Sequence, residues 1–472
     1  MYTKDPDTWP TGGSEEPLPR KASVCEKKEC ADFDLCVQLI AKQEAKECEM
    51  NAQQGPIRFT KLCCAPTVTR QPGSTEFTKV RWVLTVIGLV LYVVDIASDV
   101  VLAAKYLCDG QMVWAVLTVV FVLSASVCTQ IFSYRWFRDD KAEESRRSGG
   151  EQVEESCVPW GLIRGLHIMQ MGIFTRYFQL LRRSFCVVRS KSVSHSNDEV
   201  RPKSKSNSKS VSQEEHLQLF RLATDLSMLR LFEAFLESVP QLLLQLYIAL
   251  LGHGHLSVFQ YVSMVASFLS VSWAMVDWRR CHRHSRPDLR KMTGVSTVVY
   301  LLYKFLTISV RLFSLSLLLA VTPCNLLPVG LTWVLATAWA AYLNTDFCTS
   351  RALEWLYRGV VGVVLVFSFF NVKGSNTRLS MALYYALYCL QSVTAPLQLY
   401  LSPSPHLLWL PCLPVLAAIL GGLSVGLALL GLYYGLLHPP QKEEEKEGEN
   451  GERRVPDEVD GVMMDPVKTA KE

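Results

Sequence analysis

Charged side chains stand inside stretches apolar enough to cross a bilayer, which restricts the chain to helical bundles with a polar interior. The clearest group is Arg230, Glu233, Glu237 and Gln241, which runs into the apolar string LLLQLYIALL. Their spacing of i, i+3, i+7 and i+11 places all four on one helix face. An ion at the bilayer centre costs about 2.5–3.5 kcal/mol on insertion scales. Several such residues are tolerated only if they face one another or line a wet path. A polar route through the membrane is therefore the leading expectation.

The rest of the composition agrees. Of 472 residues, 49% are hydrophobic and 19% charged, and the apolar ones fall in long blocks, as in multi-span membrane proteins. A net charge of +4 over this length does not mark a nucleic-acid partner. The opening residues MYTKDPDTWPTGG hold no apolar leader, so the first span is expected to act as the insertion signal. Fifteen cysteines are scattered through the chain; their spacings match no zinc pattern, and reduced thiols are expected. No metal or cofactor is expected. Neither a phosphate-cradling P-loop nor an aspartyl-phosphate motif occurs, so any transport should run downhill, without enzymatic turnover.

The expected fold is an all-α multi-pass membrane protein of eight transmembrane helices plus two partly inserted, re-entrant helices. Residues 1–78 read as a disordered cytosolic arm, 79–438 as the transmembrane domain with a basic linker at 182–213, and 439–472 as a cytosolic regulatory tail. Spans are expected at 82–104 and 113–134, within 216–252, at 256–276 and within 295–321. Segment 158–181 carries Arg164, His167 and Arg176 between two basic loops, so charge bias makes it enter and return on one side. Later apolar blocks lie near 327–346, 355–372, 380–402 and 406–437. Treating 327–346 as the second inserted element, entered from outside, gives eight spans and keeps Lys373 and Arg378 in the cytosol. Cys324 and Cys348 would then flank it on the outer side, where a disulfide is chemically permitted.

Three helices offer polar stripes: Asp95 and Asp99 in the first span, the Arg230 group in the third, and Lys304, Thr307, Arg311 and Ser314 in the fifth. Buried ion pairs that only fix packing would explain them. A furrow of both signs would explain them too, and mixed sign suits a lipid headgroup better than a cation pore. The tail holds Asp457-Glu458-Val459-Asp460-Gly461. Asp at the first and fourth positions before a small residue is what an executioner caspase cuts, given an extended, exposed segment.

The strings AFLESVPQLLLQLYI (234–248), VVDIASDVV (93–101) and TQIFSYRWF (129–137) resemble the XK-related family of membrane proteins. The resemblance covers roughly 80–440 and implies eight spans with two partly inserted helices in pseudo-symmetric halves. Some members are caspase-activated phospholipid scramblases that expose phosphatidylserine on dying cells. The resemblance thus implies such a scramblase in the plasma membrane, with both termini cytosolic and a cut after Asp460. The alternative is a non-transporting subunit that partners a single-span protein. A basigin-type chaperone accompanies some members. By resemblance Asp95, Asp99, Arg230, Glu233, Glu237 and Arg311 fall on the lipid path, which Gln241 and Lys304 extend, and Trp114 sits at its outer mouth. Arg81 departs from the pattern, which leads one to expect an acidic residue there.

Overall fold

Helix after helix packs antiparallel on its neighbour, because each has one face that must leave the lipid. The computed structural model describes residues 77–147, 160–194, 205–252, 258–286, 291–345, 347–348, 350–372, 378–402 and 405–437, and among them there is no strand. The arm, the tail with its caspase string and the middle of the basic linker lie outside the described residues. The helices are α1 (Lys79–Cys108), α2 (Met112–Arg147), α3 (Trp160–Ile168), α4 (Gly172–Ser194), α5 (Lys205–Glu233), α6 (Val239–Leu251), α7 (Val258–Ser285), α8 (Gly294–Val321), α9 (Leu326–Tyr342), α10 (Arg351–Phe367), α11 (Arg378–Leu401) and α12 (Cys412–Leu432). A π-helical turn, Ala234–Ser238, fuses α5 to α6. Among the described residues six segments are long and apolar enough to cross a membrane: Lys79–Cys108, Met112–Ala142, Glu215–Leu251, Gly294–Val321, Pro323–Tyr342 and Cys412–Leu437.

Two ends can be told apart. Arg81 at the start of α1 meets Asp277 near the end of α7, and Tyr300 at the start of α8 packs on Tyr433 just past α12. This is the basic end, with Arg279 and Arg283 following Asp277 in sequence. At the opposite end Trp114 lies edge-on to Tyr247, and Asn325 bridges Leu318 O to Gln398 Oε1. Helix α8 is the axis of the second half: 61% of its apolar window is buried, against 11% for the lipid-facing α1. It packs on α6, α7, α11 and α12. Gly422 permits the closest approach, since a Cβ there would lie 2.5 Å from Val310 Cγ2.

Helices α3 and α4 form a hairpin whose tip stays between the ends of α2. Gln170 turns the chain with a φ of 63°, and its amide oxygen accepts from Ser126 Oγ. Gly172 N–H donates to Gln130 Oε1 at 2.9 Å, and His167 faces Ser133. Arg176 holds the outgoing arm to Asp140 at 2.8 Å and to Asp225 at 3.8 Å. A Cβ on Gly172 would overlap Gln130 Oε1 and His167 Cδ2. Gly172→Ala should therefore break the tip and cost about 1–3 kcal/mol of stability, to be read from thermal unfolding in detergent.

Segment 327–346 does not turn back on itself as the sequence reading expects. It is a continuous helix, α9, followed by Phe347, which stacks edge-on against Trp136 near the basic end of α2. Seventeen residues of helix rise about 26 Å. Cys324 and Cys348 lie beyond opposite ends of that helix, whereas a disulfide needs Cα atoms roughly 5.5–6 Å apart. Both are free thiols, so the expected bridge is corrected. Burial, then the charge of Glu354, pushes the Cys348 thiol up to about 12, which leaves little thiolate for exchange.

Candidate functional site

The first half gathers its carboxylates at the junction of α5 and α6. Pro240 has no N–H and cannot complete the α-helical ladder; Val239 N–H instead reaches back to Ala234 O, the five-residue bond of a π turn. Glu233 ends the α-helical part and Glu237 rides the wide turn. Both face α1. Asp95, Glu233 and Glu237 each place a carboxylate oxygen within 4.8 Å of the others, and Asp99 hydrogen-bonds with Glu237 and Gln241. Arg230 forms an ion pair with Glu233, and its guanidinium lies over the Tyr92 ring at 4.9 Å.

The cluster is buried, with Glu237 4% and Glu233 5% exposed. Four carboxyl groups share one guanidinium, and the hydrogen bond between Asp99 and Glu237 requires a proton on one of the two. Oxygens within 4.8 Å of one another can be spanned by two calcium–oxygen bonds, and among the described residues these three are the group whose donors would suit a hard cation.

Next to the cluster, towards the basic end, a cavity of about 290 Å³ opens between α1, α4, α5 and α7. Leu84, Ile87, Leu91 and Ala274 give it an apolar wall, while Asp95, Arg230 and Glu233 close its inner side. Arg81 and Asp277 stand at its mouth. Their bond is two-pronged, Nη1 to Oδ1 at 2.6 Å and Nη2 to Oδ2 at 3.3 Å, and Nη2 also reaches Cys281 Sγ at 2.6 Å. The cavity is therefore amphipathic, with charge of both signs at its mouth and inner wall.

Lys304 and Arg311 go elsewhere. Arg311 Nε donates to Val366 O at 2.9 Å and Nη2 to Gln391 Oε1 at 2.5 Å. Lys304 Nζ donates to Ser368 Oγ at 3.2 Å and Phe369 O at 2.9 Å. Helix α10 ends at Phe367 inside the protein, where its last carbonyls have no next turn. Arg311 stands in for that turn at Val366 O, Lys304 holds the two residues just beyond it, and both charges complement the helix dipole. Thr307 belongs to the same seam, its carbonyl accepting from Tyr388 OH at 2.7 Å.

The structure thus unites Asp95, Asp99, Arg230, Glu233, Glu237 and Gln241, and places Lys304 and Arg311 at the end of α10. Trp114 lies at the end opposite Arg81, against Tyr247 at 5.9 Å. Asp457, Glu458, Val459, Asp460 and Gly461 lie outside the described residues. Sequence reasoning missed Asp277 and Tyr92. Asp277 did leave a signal, a carboxylate at the last apolar turn before the basic run WRRCHRH.

Comparison with known proteins gives a consistent result. The family model described as XK-related protein matches residues 83–439. An XK-related protein 9 from Tetraodon nigroviridis is 43% identical over 83% of this chain and 96% of its own length. An XK-related protein 8 from Pan troglodytes is 32% identical over 76% of this chain and 84% of its own.

Proposed function

The chain belongs to the XK-related family, and from that premise we propose that it is a phospholipid scramblase that exposes phosphatidylserine, latent until a caspase cuts after Asp460. The observation that carries this reading is the cavity beside the acidic cluster, with an apolar wall from α1 and Arg81, Asp277, Arg230 and Glu233 at its ends. A headgroup pairs with the charges while its acyl chains stay against the apolar wall and the lipid. Energy is not required, because the lipid moves down its own gradient.

In this reading eight helical segments cross the plasma membrane: α1, α2, α5 with α6, α7, α8, α9, α11 and α12. The α3–α4 hairpin and α10 are the two partly inserted elements, and the basic end is cytosolic by the positive-inside bias. Each half then repeats the order span, span, inserted element, span, span. Executioner caspases and a basigin-type single-span chaperone are the proposed protein partners.

The test is reconstitution of caspase-cut chain into liposomes carrying a fluorescent phospholipid. Label from the inner leaflet is expected to reach an impermeant quencher within minutes, and to stay protected before the cut. Lipid that keeps its leaflet after cutting would sink the reading in favour of a non-transporting subunit.

A further inference from the structure

Arg81 and Asp277 are the only oppositely charged pair in the mouth of the cavity among its described lining residues. Their side chains are 15% and 24% exposed, so the pair is neither sealed in the core nor free in water. It sits in the first turn of α1 and just before the basic run that ends α7, at the basic end that the scramblase reading puts at the cytosolic headgroups. Trp273 lines the same cavity, with Arg280 over its ring at 6.0 Å, as suits an interfacial aromatic.

We infer that Arg81 and Asp277 form a headgroup-exchange station that admits phospholipids carrying both a phosphate and an amine. The inference rests on the scramblase reading and names its substrate class. The planar fork of Arg81 already holds two carboxylate oxygens, and a phosphate presents the same two-oxygen edge. When a phosphate takes the fork, Asp277 loses its partner. An ammonium on the same headgroup replaces that partner, so each charge exchanges one mate for another and none is left bare. A headgroup with phosphate alone strips Arg81 and leaves the Asp277 carboxylate uncompensated beside the apolar wall. Entry of such lipids is therefore slower. Solvent access discounts the pair, so the preference is about fivefold rather than absolute.

The test uses the chain ending at Asp460 in liposomes that carry acyl-labelled phosphatidylcholine or phosphatidylglycerol. The parent is expected to move phosphatidylcholine about fivefold faster. Asp277→Asn should bring the two rates together, since no carboxylate is then left bare. The exchange Arg81→Asp with Asp277→Arg keeps both charges and should keep the preference. Equal rates in the parent, or an unchanged preference in Asp277→Asn, would overturn the inference while leaving the scramblase reading intact. If Asp277→Asn fails to fold, the charge exchange decides: retained preference supports the station, lost preference removes it. Movement of neither lipid by the parent removes the scramblase reading and this inference together, a result distinct from equal rates.

Discussion

Caspase treatment of cells expressing the Asp460→Ala chain is expected to leave phosphatidylserine on the inner leaflet, whereas a chain ending at Asp460 should expose it with no protease added. The side chain matters because the protease recognises that carboxylate in a basic pocket, with Asp457 fixing the other end of the extended strand. Alanine removes the charge and nothing else, so the fold and the closed state stay as they are. The expected effect is near all-or-none, because uncut chain remains in the latent conformation. A population held about 99:1 closed must shift by roughly 5.5 kcal/mol to become 99:1 open, and loss of residues 461–472 is the event proposed to supply that bias. In sequence the tail follows soon after Tyr433, which packs on Tyr300 at 4.9 Å and lies under the Arg279 guanidinium at 5.5 Å. Arg279 is two residues from Asp277 at the cavity mouth. Surface binding of a phosphatidylserine probe reads the outcome, and a response in Asp460→Ala equal to the parent's would sink the latch.

The second large effect concerns the fold. Arg230→Ala is expected to lower stability by about 3–5 kcal/mol, the cost of leaving a buried charge unpaired. Arg230 is the ion-pair partner of Glu233, and Glu233 faces Asp95 and Glu237. Without the guanidinium, like charges confront one another in a dry site, and the contact over Tyr92 is lost as well. Removing both partners, with Arg230→Met and Glu233→Gln, should recover most of the loss, because the pair gains little over neutral side chains of similar size. Thermal unfolding in detergent measures both variants. A single variant as stable as the parent would show that Glu233 carries no charge that needs Arg230.

Much of this could be read from residues alone, and what could not has a common cause. The acidic face at Glu233 and Glu237 was legible because helical periodicity sorts side chains by face, and an ion among leucines has few places to go. The α3–α4 hairpin was legible from basic loops on both sides of an imperfectly apolar segment. The destination of Lys304 and Arg311 was not. Periodicity says which face a cation lies on, but not that a helix ending at Phe367, and the two residues after it, need carbonyls met there. The Arg81–Asp277 pair joins residues 196 apart, a match that no local pattern encodes. Segment 327–346 was misread because a helix and a hairpin of equal hydropathy differ only in what their far end touches, here Phe347 on Trp136.

The π turn at Ala234–Ser238 makes the long helix behave as two rods joined by a collar rather than as one shaft. Each residue of an α-helix advances the direction of side chains by about 100°, so one surplus residue in the collar sets the angle between the rods. Glu233 belongs to the lower rod and Gln241 to the upper, yet they attend aspartates one turn apart on α1, Asp95 and Asp99 respectively. Sliding the collar by one residue would turn one rod against the other without unwinding either, and would separate those two side chains by a quarter of a circle. Position along this helix is therefore also a dial setting, and the acidic cluster exists at only one reading of it.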